Sequence, residues 1–426
     1  MIAICGTGMA SLACLLQKSG YRVTGSDSNI YPPMSILLES VGIKVKPGYQ
    51  RKNIANNIDK VVRPRTTPLF TPFDFNGEKK YVWTTFSDDQ VDVNLNDTEM
   101  MKYILKSFFL YIKNGAKYFR VDAVPFMWKK FGTNCSHLHK THLVVQLLRA
   151  IAEEVGKDYL IITESNVPHF ENISYFGAGD NEAHLVYNFS LAPLILHAMT
   201  FKSAHWIVEW AKVVFDIPSQ VSYLNFTATH DGIGMRGLEG LVPEVDVETM
   251  CEMTLKNNGK VGMKRSRSGE EKPYELNITW ASFLETIEDD LDLLSKLIVN
   301  SHAIVMFYPG VPANYVHNFF GTRSWIEGRE KTGVPRTVNR KKCEYPLDLN
   351  HEELSQMEEL KNWIKIKTSS KAFHPKGKIQ ILEIDDRVIS FKRSYNGDEK
   401  TVFFNLTKEE IEVDGTFLKA YDLIIK

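Results

Sequence analysis

The stretch Lys117–Phe126, KYFRVDAVPF, predicts a buried β-strand, because apolar residues dominate it and turn-forming residues lie on both sides. Two charged residues interrupt it, Arg120 and Asp122, and their spacing of two places them on one face of the strand. Burying either charge alone is costly, so we expect the two side chains to be partnered. A structural ion pair and a functional pair both fit these residues.

Predicted strands and helices alternate outward from this stretch. Thr98–Lys113 is expected to form a helix with Asn96 or Asp97 as its N-cap. Further strand candidates are Tyr159–Thr163, Leu185–Phe189, Tyr223–Thr227 and Ala303–Tyr308. The segments between them are long enough for crossover helices, so the sequence predicts an α/β fold of parallel βα units, in a barrel or a doubly wound sheet.

Polar residues follow three of these strand candidates: Arg120 with Asp122, then Glu164, then His230 with Asp231. Catalytic residues gather at the C-terminal ends of the strands of a parallel barrel. Three acids there can perform glycosyl transfer: one attacks the anomeric carbon, one protonates the leaving oxygen and one stabilises the oxocarbenium charge. A retaining enzyme needs its nucleophile and acid about 5 Å apart. Taken singly, each group could instead be a satisfied ion pair or a helix cap.

The segments FRVDAV, IITESNVPH and ATHDGIG resemble three of the four signature regions of the alpha-amylase family, glycoside hydrolase family 13. RPRTTPLFTPF, VWTTFSDDQVD, KPYELNITW and KTGVPRTVNRKK are similar to its sucrose-phosphorylase-like subfamily, nearer to glucosylglycerate and sucrose 6'-phosphate phosphorylases than to sucrose phosphorylase. The resemblance runs from Arg63 to the C-terminus. It implies retaining phosphorolysis of a small α-glucoside by double displacement, with a sugar substrate and inorganic phosphate giving glucose 1-phosphate.

The resemblance also implies a role for each site residue. By matching position, Asp122 would be the nucleophile, Glu164 the acid/base and Asp231 the residue that stabilises the transition state. The implied substrate-binding residues are Arg120, His230, Arg340 and Arg65. Among these, the first two would hold the nucleophile and the sugar hydroxyls, the third the donor glucose, and the last an acceptor or phosphate.

The family's first signature region, on its third barrel strand, has no match upstream of Arg63. We therefore expect an incomplete (β/α)8 barrel, strands four to eight, followed by a C-terminal antiparallel β domain. Short alternating strands KIQILEI, DRVISFKRS and KTVFFNL indicate that last domain. The predicted domains are 1–61, 62–370 and 371–426, with 62–97 as a remnant of the inserted B domain.

The N-terminal residues predict a Rossmann-like βαβαβ fragment with strands at Ile2–Cys5, Arg22–Thr24 and Gly42–Val45. Gly6 and Gly8 would let backbone amides approach an anion at a helix N-terminus, and Asp27 suits a ribose hydroxyl. A structural βα turn is the alternative. The nucleotide-binding candidates are Gly6, Gly8 and Asp27.

ICGTGM, VTGSD and YPPMSILLE together resemble the N-terminal domain of the Mur ligases, nearest to the muropeptide-recycling branch that ligates UDP-N-acetylmuramate, up to about Lys60. In that family the domain binds the UDP of the substrate. The sequence holds no Gly-x-x-Gly-Lys-Thr phosphate loop, so the ATP-using ligase centre is missing. Three hypotheses stay open: a phosphorylase, a catalytically impaired fusion or truncation product, and a UDP-muramyl-peptide ligase fragment without its ATP site.

Composition excludes several classes of protein. The 426 residues carry a net charge of −1, which offers no general attraction to nucleic acid or to an anionic membrane. Five scattered cysteines suggest neither a metal site nor a disulfide framework. No signal-peptide pattern or membrane-spanning apolar run occurs, so we expect a cytoplasmic protein with no cofactor and no metal.

Overall fold

The computed structural model describes residues 4–5, 7–18, 23–30, 32–48, 61–265, 270–344 and 347–426. The chain divides into two compact units. The smaller comprises Met1–Val61 with Phe131–Asn134, and the larger comprises Val62–Lys130 with Cys135–Lys426. In the part of the chain that is described, no helix is both long enough and apolar enough to cross a membrane.

The described residues of the smaller unit form two helices and a pair of short parallel strands. In chain order they are α1 (Thr7–Lys18), β1 (Gly25–Asp27), α2 (Met34–Ser40) and β2 (Val45–Pro47). A small apolar core holds them together, formed by Ile4, Cys5, Ala10, Ala13, Cys14, Leu38 and Ile43. The arrangement has the helix–strand alternation that the sequence predicts for this region.

The predicted strands of this unit are displaced. Arg22 and the first two residues of Ile2–Cys5 lie outside the described residues, and Ile4 and Cys5 form a turn. The second strand begins at Gly25, where a Cβ atom would lie 2.3 Å from Ile4 Cδ1. This strand therefore lies just after the predicted Arg22–Thr24, and its first position requires glycine because the backbone passes too close to Ile4 for a side chain.

The larger unit alternates strands and helices. Its first elements are, in chain order, β3 (Phe70–Phe75), β4 (Glu78–Trp83), α3 (Thr98–Lys113), β5 (Tyr118–Val121), α4 (His139–Val155), β6 (Leu160–Thr163), α5 (His169–Asn172), β7 (Leu185–Tyr187), α6 (Leu191–Phe201), α7 (His205–Val214), β8 (Ser222–Asn225) and β9 (Ile233–Gly234). They continue with α8 (Glu244–Lys256), β10 (Lys260–Arg265), β11 (Glu271–Asn277), α9 (Trp280–Leu284), α10 (Leu291–Phe307), β12 (Val311–Pro312), α11 (Val316–Phe319), α12 (Ile326–Thr332) and α13 (His351–Ser369).

Five of these strands form one parallel sheet in the order β12-β8-β7-β6-β5. A separate antiparallel sheet has the order β10-β11-β9; in the chain β9 directly follows the turn after β8, and β10 and β11 come after α8. The predicted helix Thr98–Lys113 is confirmed, with Asp97 as its N-cap accepting hydrogen bonds from the backbone of Glu99 and Met100. An N-cap of this kind can be predicted from sequence, because its hydrogen-bond acceptor and donors are only two and three residues apart.

The strand predicted at Ala303–Tyr308 is wrong. Ala303 to Phe307 are the last residues of α10, and the strand that joins the sheet is β12, a few residues later. The C-terminal half of α10 is buried throughout its length, so its apolar residues show no helical period. A short apolar run of this kind cannot be distinguished from a buried strand by pattern alone.

The opening stretch KYFRVDAVPF is neither wholly a strand nor wholly buried. Strand β5 ends at Val121, Ala123 adopts a left-handed conformation with φ of 49°, and Val124 begins a short 3-10 helix. Tyr118 is 68% exposed. In the described part of the chain β5 is an end strand of the sheet, bonded only to β6, and an end strand has a neighbour on one side only.

Six strands complete the chain. They are β13 (Lys378–Leu382), β14 (Val388–Tyr395), β15 (Asp398–Asn405), β16 (Ile411–Val413), β17 (Thr416–Leu418) and β18 (Leu423–Ile425). Four of them form an antiparallel sheet in the order β13-β14-β15-β18. Its inner face shares one apolar core with α6, α7 and α10, so the β domain packs directly against the helices of the larger unit.

Arg393 on β14 ties this domain to α10. Its side chain is fully buried and donates hydrogen bonds to the carbonyl oxygens of Phe307, His374 at 2.8 Å and Lys378 at 3.1 Å. Phe307 is the last residue of α10, where carbonyl groups lack a partner within the helix. The buried cation is therefore a cap that satisfies several backbone acceptors at once.

We expect Arg393→Met to lower the free energy of unfolding by about 3 kcal/mol, since it leaves buried carbonyl groups without donors. The midpoint of urea unfolding measures this change. Arg387→Met is the matched control in the same domain, because Arg387 pairs with Asp385 and Glu409 at the surface and its side chain is 44% exposed. That variant should change stability by less than about 1 kcal/mol. Equal losses would contradict the capping role.

Candidate active site

A small polar cavity of about 50 Å³ lies at the C-terminal ends of the parallel strands. Residues at or just beyond the ends of β5, β6, β7 and β8 line it, together with residues of β11 and of the segment after α12. The lining residues with acidic or basic side chains are Arg120, Glu164, His230, Asp231, Glu275 and Arg336. Three of the four strand ends contribute a residue that the sequence singled out.

Glu164 lies immediately after β6 and is half-buried. Its N–H donates to the carbonyl of Val121 at 2.9 Å, and its Oε2 accepts the N–H of Ala123 at 3.0 Å. Burial, and next the negative charge of Asp122, raise the pKa of Glu164 to about 7, against the opposing effects of the Ala123 hydrogen bond and the Arg120 cation. A carboxyl group with such a pKa can both donate and accept a proton near neutral pH.

Arg120 and Asp122 are partnered, as the sequence predicts. Nη1 of Arg120 lies 2.6 Å from Oδ1 of Asp122, while its Nε donates to the Tyr187 hydroxyl at 2.9 Å. The Asp122 side chain is 69% exposed and stands beside the cavity rather than among its lining residues. An exposed pair stabilises the fold by at most about 1 kcal/mol. Its effect is to orient the Asp122 carboxylate.

Asp231 is presented by a tight turn after β8. Thr229 and Gly232 exchange two backbone hydrogen bonds of 3.0 Å, and Gly232 has φ of +94°. A Cβ on Gly232 would lie 2.2 Å from the carbonyl oxygen of Leu276, so this turn requires glycine. The glycine of the ATHDGIG segment therefore sets the position of the aspartate before it.

Three cationic or basic side chains converge on one oxygen of Asp231. Oδ1 lies 2.7 Å from Nη1 of Arg336, 2.8 Å from Nη2 of Arg340 and 3.4 Å from Nε2 of His230. Arg340 also donates to the backbone carbonyl of His230 at 3.0 Å. The structure thus brings together the predicted His230, Asp231 and Arg340.

Arg336 and Glu275 were missed by the sequence analysis. Arg336 joins Asp231 to Glu275, whose side chain is only 6% exposed. Both residues occur within segments quoted for the family resemblance, KTGVPRTVNRKK and KPYELNITW. Their presence in these segments was a signal that could have identified them. The neighbouring residues do not reveal that they form an ion pair, because Arg336 and Glu275 are 61 residues apart in the chain.

Arg65 is connected to the site through Glu275. Its guanidinium carbon lies 4.9 Å from the ring centre of Tyr274 and 5.7 Å from that of Phe86, and its Nη2 lies 3.6 Å from Oε1 of Glu275. Aromatic rings on which the guanidinium stacks restrict its orientation. Arg65 therefore lies next to the cavity without lining it.

The nucleotide-binding candidates lie in the smaller unit. Gly6 is outside the described residues, and Gly8 is in the first turn of α1. The carboxylate of Asp27 is buried: Oδ2 accepts the N–H of Cys5 at 2.8 Å, and Oδ1 accepts the N–H of Asn29 at 2.9 Å. In this structure Asp27 holds the turns around β1, and ribose binding by it stays a prediction.

Several known proteins are similar to this chain in sequence and in fold. The alpha-amylase catalytic-domain family matches residues 58–232, and the Mur ligase family, catalytic domain, matches residues 1–72. A glucosylglycerate phosphorylase from Escherichia coli K12 is 39% identical over 390 residues, which cover 89% of this chain and 70% of that protein. This chain belongs to the alpha-amylase family. Its relatives there are glucosylglycerate and sucrose phosphorylases, so both resemblances noted in the sequence are confirmed.

Two further comparisons define the extent of the likeness to this family. A glucosylglycerate phosphorylase from Spirochaeta thermophila is 38% identical, with 89% of this chain and 64% of that protein covered. The crystal structure of sucrose 6F-phosphate phosphorylase from Thermoanaerobacter thermosaccharolyticum superposes with a TM-score of 0.69 at 21% identity, covering 88% of this chain and 75% of that one. The fold is of the alpha-amylase type, and the chain spans roughly two thirds of the length of these phosphorylases.

Proposed function

We propose that the protein is a retaining α-glucosyl phosphorylase that cleaves a small glucoside with inorganic phosphate and releases glucose 1-phosphate. The observation that carries the proposal is the environment of Glu164, a carboxyl group with a pKa of about 7 hydrogen-bonded to the residue after Asp122. One acid is thus kept available as a proton donor while its neighbour is paired with Arg120. Two carboxyl groups with divided roles are what double displacement needs.

In the proposed mechanism Asp122 attacks the anomeric carbon while Glu164 protonates the departing oxygen, giving a covalent glucosyl-enzyme. Phosphate then attacks the same carbon, Glu164 accepts its proton, and the bond to Asp122 breaks with net retention. Asp231 stabilises the oxocarbenium charge in both steps, and Arg120 aims the nucleophile through its 2.6 Å contact. His230 and Arg340 bind the sugar hydroxyls beside Asp231.

For the substrate we propose a glucoside with an anionic leaving group, of which glucosylglycerate is the first candidate because relatives carry that name. Arg65 would contact the anionic group or the phosphate, since its stacked guanidinium lies next to the cavity. The proposed setting is the cytoplasm, with no nucleic-acid or membrane partner.

For the architecture we propose that the five parallel strands correspond to strands four to eight of the family barrel, within domain 62–370, and that 62–97 is the B-domain remnant. The β domain would be 371–426. Residues 1–61 would be a Rossmann-like fragment of Mur ligase type. A catalytically impaired fusion product remains the alternative, because the chain spans only about two thirds of the length of these relatives.

The deciding experiment is phosphate-dependent formation of glucose 1-phosphate. The purified chain is incubated separately with glucosylglycerate, sucrose 6'-phosphate and sucrose, with and without phosphate, and glucose 1-phosphate is measured by a coupled assay. We expect release from glucosylglycerate only when phosphate is present. If none of the donors yields glucose 1-phosphate at high enzyme concentration, while the chain unfolds cooperatively, the impaired fusion is the better interpretation.

We expect kcat/KM to fall as pH rises through about 7, because the proton on Glu164 is then lost, and to decline about tenfold for each further pH unit. The contribution of Glu164 to the free energy of unfolding also falls as pH rises. The folded pKa lies above the ordinary value of 4.5, so the contribution of this group is complete below pH 4.5 and is lost as pH rises through 7. Rate profiles and urea unfolding at several pH values measure both. Glu164→Gln should abolish the slope in stability; an unchanged slope would contradict the assignment.

A further inference from the structure

We propose that Arg336 is a positioning residue that holds the Asp231 carboxylate in place for glucosyl transfer, and that Glu275 is its buried anchor. The inference rests on the proposed function and extends it to two residues outside the predicted site. Neither residue needs to contact the reacting atoms, since both would act through Asp231.

The contacts of Arg336 use three of its nitrogens. Nε and Nη2 bind Oε1 and Oε2 of Glu275 at 2.8 and 2.5 Å, and Nη1 binds Oδ1 of Asp231 at 2.7 Å. A planar guanidinium held by such a bidentate contact with a carboxylate has little freedom to rotate. The direction of its remaining nitrogen, and with it the position of Asp231, is therefore set by Glu275.

Glu275 is itself held firmly within a sheet. It lies on β11, opposite Gly262 of β10 and Gly234 of β9 in the strand register. A Cβ on Gly262 would lie 2.8 Å from Cγ of Glu275, so the glycine leaves the space that the glutamate side chain fills. Burying a carboxylate here is costly unless it is paired, and Arg336 supplies the partner.

The contacts leave one oxygen of Asp231 available. Arg336, Arg340 and His230 all approach Oδ1, and among the described residues no hydrogen bond reaches Oδ2. Arg340 donates a hydrogen bond to Oδ1, but its side chain is 43% exposed against 24% for Arg336. Without Arg336, the Asp231 carboxylate would lose its link to the buried Glu275 and would be held only by the more exposed side chains of Arg340 and His230.

The test compares two variants. Arg336→Lys keeps the positive charge but loses the bidentate contact with Glu275, and Arg336→Met loses both the charge and the contact. We expect kcat to fall about 10-fold in the first and about 100-fold in the second, with KM changed less than about threefold, because misplacing a transition-state group costs rate more than binding. The split between kcat and KM is the readout that separates positioning from a merely structural role, because lost stability alone changes neither constant per folded molecule.

Arg323 provides a matched control. It also bridges two carboxylates, with Nε 2.6 Å from Glu285 and Nη2 2.9 Å from Glu352, and it does not line the cavity. Arg323→Met should leave kcat and the pH profile unchanged. If the Arg336 variants lose only thermal stability, with kcat per folded molecule unchanged, the residue is structural and the proposal is overturned.

A second measurement separates this inference from the proposed function. If the unsubstituted chain turns over no donor, the function fails, but a crystal structure of Arg336→Lys still tests the contact. We expect the turn at residues 229–232 to be unchanged and the Asp231 carboxylate to be rotated from its place. A carboxylate in its original position would overturn the proposal whether or not the chain is active.

Discussion

Asp122→Asn is expected to abolish the glucosyl-enzyme and to lower turnover at least about 10⁴-fold, since an amide of the same shape cannot attack the anomeric carbon. Stability should be nearly unchanged, because the Asp122 side chain is 69% exposed and its pairing with Arg120 contributes little. Mass spectrometry after mixing with α-glucosyl fluoride detects the covalent species, and steady-state assays give the rate.

Asp158→Asn is the matched control for this experiment. Asp158 is an exposed aspartate paired with Lys117 at 3.0 Å, just before the N-terminal ends of β5 and β6, away from the site. It should retain full turnover and full labelling by the fluoride. Turnover above about a tenth of normal in Asp122→Asn would remove Asp122 from the nucleophile role.

Glu164→Gln is expected to lose about 10³-fold in kcat with glucosylglycerate, whose leaving oxygen needs a proton, but less than about 10-fold in forming the glucosyl-enzyme from α-glucosyl fluoride. The amide keeps an oxygen that can accept the Ala123 N–H, so the backbone around the site should stay in place. Burst kinetics with the fluoride measure the first step separately.

Glu153→Gln controls for the loss of a carboxylate elsewhere, on helix α4, which precedes β6. Glu153 pairs with Arg149 on α4 at 2.6 Å and is 52% exposed, so its removal should affect neither donor. Equal losses with both donors in Glu164→Gln would show that Glu164 supports the fold and does not transfer a proton.

Local signals were sufficient for several parts of this molecule. The helix Thr98–Lys113 and its Asp97 cap were predictable because a capping contact spans two or three residues. The pairing of Arg120 with Asp122 followed from a spacing of two on one strand. The ends of the strand candidates indicated the positions of Glu164 and Asp231, and the family resemblance added their implied roles; the structure places both residues in one cavity.

Other features required the tertiary structure. Ala303–Tyr308 was predicted as a strand because a helix buried on all sides has no sequence period. The exposure of Asp122 depends on β5 being an end strand of the described sheet, which is a property of strand order and not of the residues themselves.

By itself, then, the sequence indicated which acids are candidates for the site and which short segments carry them, because motif residues and capping partners are neighbours along the chain. Only the tertiary structure decided how those acids are held. Arg336 and Glu275 are 61 residues apart, and their contact exists because β11 and the segment after α12 meet beside Asp231. An ion pair between distant elements cannot be predicted from a periodic pattern in the sequence, since each charged residue alone is equally compatible with a solvated surface.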